Sequence, residues 1–105
     1  MPQFDLYENP NPQSLDWAPY LIDLQHDMLR SLSTRIMAPL VKSPPRDEHL
    51  MKHLNPVMSI DGNEYFLSMA EMASVPVSEL CDAVDNLETQ RDKLMAAVDL
   101  LFTAV

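Results

Sequence analysis

The sequence predicts a mainly β domain closed by a C-terminal helix. Three observations carry this reading: short alternating apolar runs separated by proline-rich breaks, a strand-like run on each side of Asp61-Gly62, and a change to helical spacing in the last third. A chain of 105 residues is the size of one ordinary domain, so residues 1–105 read as a single unit around one core.

Residues 4–7, with Phe4 and Leu6 apolar and Asp5 between them, and residues 20–25, from Tyr20 to Gln25, show the alternation of half-buried strands. Between them Asn9-Pro10-Asn11-Pro12-Gln13-Ser14 is a loop, because each proline removes a backbone donor and restricts the residue before it. Arg35 to Leu40 is a third apolar run, and Pro39 places it at a sheet edge or makes it the end of a strand. Ser43 to Glu48 breaks the pattern again. Val57 to Leu67 then folds about Asp61-Gly62 as a tight hairpin, whose turn needs the positive φ that the chain's only glycine adopts without a Cβ clash. About five short strands with a terminal helix suit a small barrel or twisted sheet.

Leu80, Val84, Leu87, Arg91, Leu94, Val98, Leu101 and Val105 recur at alternating spacings of four and three. By periodicity alone this is one helix from about Ser78 to Phe102, with Arg91 interrupting an apolar stripe that packs on the domain's own core. Sustained coiled coils want more heptads than this.

Sixteen acidic side chains against seven basic ones give a net charge of −9. A protein that grips nucleic acid displaces counterions with Lys and Arg, and this chain has only scattered single ones, so any action on DNA needs another protein to make the contact. Acidity also keeps a small protein soluble, so the charge excludes more than it proves. Cys81 is the only cysteine, which rules out an intrachain disulfide and a cysteine-rich zinc cluster. The stretch Met1-Pro2-Gln3-Phe4-Asp5 does not read as a secretory signal, and no run is apolar for long enough to span a bilayer, so a cytoplasmic, non-membrane protein is expected.

Little points to catalysis. One glycine cannot build a phosphate-binding loop, and no Ser, His and Asp grouping stands out by spacing. His49 and His53 would share a helix face, but without a third ligand they read as solvated histidines rather than a metal site. His26-Asp27 reads as a surface pair. No catalytic residue, metal or cofactor is expected. The eight methionines, Met28, Met37, Met51, Met58, Met69, Met72 and Met95 among them, suit either core gap-filling or adaptable contact surfaces. Met28-Leu29 follows an apolar strand ending at Asp27, and two adjacent apolar residues cannot both face one core, so one of them is expected to meet a partner or solvent.

Several short segments occur in a familiar order: Gln3-Phe4, Asp23-x-Gln25-x-Asp27, Arg35 leading to Pro39-Leu40, Leu54-Asn55-Pro56 before the hairpin, Met72-Ala73-Ser74-Val75-Pro76-Val77, and Arg91 near the end. With these, over essentially its whole length, the chain resembles the CcdB family of toxins. The resemblance implies an SH3-like barrel made of a twisted antiparallel sheet, a small three-stranded wing and a C-terminal helix, assembled as a twofold homodimer. It also implies an extended segment near Cys81–Leu87 and a helix starting only around Glu88 or Thr89, against the longer helix that periodicity suggests.

The implied function is that of a non-enzymatic toxin in a toxin–antitoxin module of the plasmid-maintenance kind. The dimer enters the cavity of the DNA gyrase A subunits and traps the enzyme on cleaved DNA. A CcdA-like antitoxin neutralises it through a disordered C-terminal segment that folds over the gyrase-contact surface. The resemblance places gyrase contacts on Met28, Leu29, Asp99, Phe102, Thr103, Ala104 and Val105. The best-known members end in Trp-Gly-Ile where this chain has Thr103-Ala104-Val105, a change that removes about 1–2 kcal/mol of cation–π contact where the site is desolvated, although related members also carry Thr at this place. Two alternatives stand beside this reading. One is an RNA-cleaving toxin of the MazF kind, ranked lower because such an enzyme needs a basic groove. The other is a non-toxic relative that keeps only the antitoxin-binding surface.

Overall fold

The computed structural model describes residues 2–42 and 54–103. The Ser43–Glu48 break, the His49 and His53 pair, Met51, Ala104 and Val105 fall outside the described residues. Among the described residues, seven strands, β1 (Asp5–Glu8), β2 (Tyr20–Asp23), β3 (Thr34–Val41), β4 (Val57–Ile60), β5 (Asn63–Leu67), β6 (Ala73–Pro76) and β7 (Asp85–Asn86), form one sheet. Its order is β4-β5-β3-β2-β1-β7, with β6 laid against β3, and the pairings are antiparallel. One α-helix among the described residues, α1 (Arg91–Phe102), follows β7. It is too short to cross a membrane.

The strand β3 organises the sheet. On one side it pairs with β2 at Met37–Leu40, and on the other with β6 at Thr34–Met37 and then β5 at Leu40–Val41. Pro39 sits where the second partner changes. Leu24 N–H donates to Ile36 O, so by the alternation of antiparallel ladders Leu21 and Pro39 form a non-bonded pair and the proline nitrogen faces away from β2. On that side Pro39 O accepts the Ser68 N–H at 2.9 Å. The edge position expected for Pro39 is therefore corrected: it lies inside a central strand, at the one gap in the ladder where no donor is needed. Beyond it the end of β3 becomes the third strand of the β4–β5 arm, the small wing.

The hairpin forms as the sequence indicates. Ile60 pairs with Asn63 across a two-residue turn in which Asp61 (φ 50°) and Gly62 (φ 79°) are both left-handed. Phe4 is also left-handed, at φ 69°, so β1 begins at Asp5 and not at Phe4. This conformation costs about 1–3 kcal/mol. It is held by Phe4 N–H to Asp23 O at 2.7 Å, Leu87 N–H to Phe4 O at 2.9 Å, and a ring that is fully buried.

Strand alternation separates two faces. Leu6, Ile22, Ala38 and Leu40 point into the apolar core with Met58, Leu67, Met69, Leu94 and Ala97. Asp5, Tyr7, Asp23, Arg35 and Met37 occupy the opposite face, and they too are buried. Met37, Met58 and Met69 fill core space, whereas Met28 lies at the surface.

The helix predicted from Ser78 is corrected. Val77–Glu79 is a 3-10 turn, Asp85–Asn86 a strand, Glu88–Gln90 a second 3-10 turn, and the α-helix starts at Arg91. The extended segment and late helix implied by the family resemblance are what the chain adopts. Val84 is exposed while Leu87 is buried, so the stripe's first half is coincidental. Arg91, its polar interruption, lies 5.4 Å over the Phe4 ring in a cation–π contact.

Candidate protein-binding site

Met28 and Leu29 do not end a strand. β2 stops at Asp23, and the two residues lie on a 3-10 turn, Asp27–Leu29. Strand alternation does not apply there, and both side chains leave the core: Met28 is 85% exposed and Leu29 48%. His26 caps the turn, its Nδ1 accepting the Met28 N–H at 3.0 Å, while its carbonyl accepts the Leu29 N–H at 2.9 Å. The Asp27 carboxylate accepts the Gln3 N–H, tying the turn to the N-terminal segment. His26-Asp27 is thus a surface pair whose work is to fold the turn.

At the other end of the chain Asp99 is exposed, and Phe102, the last residue of α1, is 69% exposed. Thr103 closes the helix, donating its N–H (2.8 Å) and its hydroxyl (2.6 Å) to Asp99 O. The threonine hydroxyl is spent within its own helix, which leaves Phe102 as the aromatic surface at this end.

The fold brings these two regions together. Leu29 and Phe102 line one cleft of about 280 Å³, with Leu24, Ile36 of β3, Met72, and Met95 and Val98 of α1 completing its apolar wall. Gln3, Gln25 and His26 supply polar groups at its margin. Met28, Asp99 and Thr103 stand outside the cleft, and Ala104 and Val105 are outside the described residues. Ile36, Met72, Met95 and Val98 were not singled out as contact residues by the sequence. Met95, Val98 and Phe102 recur at helical spacing as a second stripe beside Leu94 and Leu101, a signal masked by the stronger core periodicity. Alternation puts Ile36 on the same face as the core residues Ala38 and Leu40, so the sequence marks it as core, and only the fold shows that it is 37% exposed beside the cleft. Exposed large apolar groups gathered on one face mark an interaction surface rather than a reaction centre.

Beneath the turn lies a buried polar network. Arg35 Nε donates to Asp23 Oδ2 at 2.8 Å, and both side chains are fully buried. Asp23 Oδ1 accepts the Gln25 N–H at 2.9 Å, and Arg35 Nη2 donates to Gln25 O at 3.0 Å. Burial nonetheless pushes the Asp23 carboxyl above the ordinary value, outweighing the Arg35 bond. Tyr7 is pushed up to about 12 by burial and by the negative charges of Asp5 and Asp23. A larger cleft, of about 550 Å³, lies between the 9–18 loop and β6, with Trp17 beside it and none of the predicted contact residues in its lining.

A protein-family model described as CcdB protein matches residues 3–104. The match contains all seven strands, the 3-10 turn of Met28 and Leu29, and helix α1, so both walls of the smaller cleft lie inside it.

Proposed function

The chain belongs to the CcdB family, and from that membership we propose that it engages gyrase through the apolar face formed by the Met28–Leu29 turn and the end of α1. It is a toxin of a toxin–antitoxin module, acting in the cytoplasm. It binds the gyrase A subunit, traps gyrase on cleaved DNA, and is neutralised by a CcdA-like antitoxin. Family members act by binding another protein and catalyse nothing themselves.

The observation that carries the contact surface is the convergence of Leu29 and Phe102 on one cleft. Trapping requires no bond to be made by the toxin. Selective affinity for the cleaved state of a cycling enzyme shifts the population into that state and stalls it. A chain with net charge −9 reaches DNA only through such an intermediary. A twofold target calls for a twofold ligand, so the acting species is a homodimer that presents two copies of the face. Phe102 supplies an exposed aromatic ring next to the position where the best-known members carry tryptophan.

Alanine at Leu29 or at Phe102 tests this reading. Each substitution should weaken binding to a purified gyrase A dimerisation fragment roughly tenfold, while melting of the dimer is little changed. Parent-like affinity of both variants would move the contact surface elsewhere on the toxin.

A further inference from the structure

Residues 26–33, which carry Met28 and Leu29, are exposed throughout, and none of their side chains belongs to the buried core. Its attachment to the rest of the domain is polar. Asp27 accepts the Gln3 N–H, Ser33 O accepts the Val77 N–H at 2.9 Å, and the third tie comes from Gln25. Gln25 is only 7% exposed, and its side-chain amide is engaged at both nitrogen and oxygen. Nε2 donates to Leu29 O at 3.1 Å and to Thr34 O at 3.3 Å, while Oε1 accepts the Ile36 N–H at 3.1 Å. One amide therefore joins the contact turn to the start of β3, bridging the base of the loop. Its own backbone is fixed by Asp23 and Arg35.

From this geometry we infer that Gln25 is a positioning residue for gyrase recognition: its buried amide sets where Leu29 stands relative to Ile36 and Phe102. The inference rests on the reading that the Met28–Leu29 turn touches gyrase. A buried amide with both donors and its oxygen bonded holds a single geometry, because moving the turn would strand a donor away from water. The contact face is thereby set before the target arrives, and binding does not bear the cost of ordering the loop.

The test is a mutant cycle on the full-length dimer, read as affinity for the gyrase A dimerisation fragment with melting followed in parallel. Gln25→Glu keeps an acceptor for Ile36 and turns the donor into an oxygen facing two carbonyls; Gln25→Met removes both functions at similar volume. Each should weaken gyrase binding roughly tenfold in the parent chain, and less than twofold in a chain already carrying Met28→Ala and Leu29→Ala. Equal losses in the two backgrounds, or no loss in the parent, would overturn the inference by making Gln25 a general stabiliser or irrelevant. Parent-like binding of the double-alanine chain itself would locate the error in the contact reading, and the role of Gln25 would fall with it. If neither Gln25 variant folds, the unmodified protein decides. The side-chain amide protons of Gln25 should be protected from solvent exchange in the free toxin, and rapid exchange would contradict the assignment.

Discussion

Leu29 and Phe102, from a turn near the N-terminus and from the last residue of the C-terminal helix, line the same cleft. Periodicity within either segment does not reveal this relationship, because it depends on how β1, β2 and β3 fold back and on where α1 ends.

Removing residues 103–105 separates poisoning from folding. Thr103 bonds back to Asp99 O within the last helical turn, and the core positions Leu94 and Ala97 lie upstream. Deletion should change stability by less than about 1 kcal/mol in a denaturant melt. Gyrase-linked DNA cleavage should be lost from the same folded dimer. Collapse of the dimer would instead make the tail structural, and retained cleavage would confine the contact surface to Phe102 and the Met28–Leu29 turn.

Breaking the Asp23–Arg35 pair on one side leaves a buried charge without its partner. Asp23→Asn or Arg35→Met should cost about 3–5 kcal/mol, whereas replacing both with Leu and Met should cost less than the sum of the two singles. Chemical denaturation of the three variants measures this, and additive losses would show that the two side chains do not act as a unit.

Tyr7 gives an alkaline limit. Its phenol is held neutral in the fold up to about 12, against the ordinary value of 10.0, so the native state binds more protons than the unfolded one across that window. The stabilising contribution is fully present below pH 10 and is lost as pH rises towards 12. Ultraviolet titration should show late tyrosine ionisation that diminishes in Tyr7→Phe, and the same substitution should remove this part of the alkaline stability loss.

At Gly62 a Cβ would meet nothing within 4 Å, so space does not select glycine; the φ of 79° does. Gly62→Ala should cost about 1–2 kcal/mol through backbone strain alone. Asp61→Asn should be close to neutral, because asparagine also tolerates the left-handed region. A larger loss for Asp61→Asn in a thermal melt would point to a role for the carboxylate.

The elements that were legible in the sequence are those whose signal is local. Asp61-Gly62 between alternating runs specifies its hairpin, and the 9–14 loop follows from Pro10 and Pro12. The missed elements depend on distant partners. β7 has two residues and exists because Asp5 and Leu6 pair with them, and β6 contains Pro76 and forms against β3. The stripe from Leu80 to Val105 misled because side chains in a strand, a 3-10 turn and a helix were counted on one wheel. Of the site, Met28 and Leu29 were marked by two apolar residues in succession, and Asp99, Phe102 and Thr103 by the family resemblance. Ile36, Met72 and Met95 each look ordinary in their own segment, and only the folded chain places them beside Leu29.

Cleavage-complex accumulation with purified gyrase tests the central claim most directly. Supercoiled plasmid, gyrase and ATP are incubated with the full-length toxin, and the reaction is stopped with detergent and protease to reveal double-strand breaks. The account predicts linear DNA that rises with toxin concentration, is suppressed by the antitoxin's C-terminal segment, and fails to form with a folded Leu29→Ala, Phe102→Ala dimer. No linear DNA at saturating toxin would contradict gyrase poisoning by this chain, and undiminished linear DNA from the double variant would contradict the surface assigned to it.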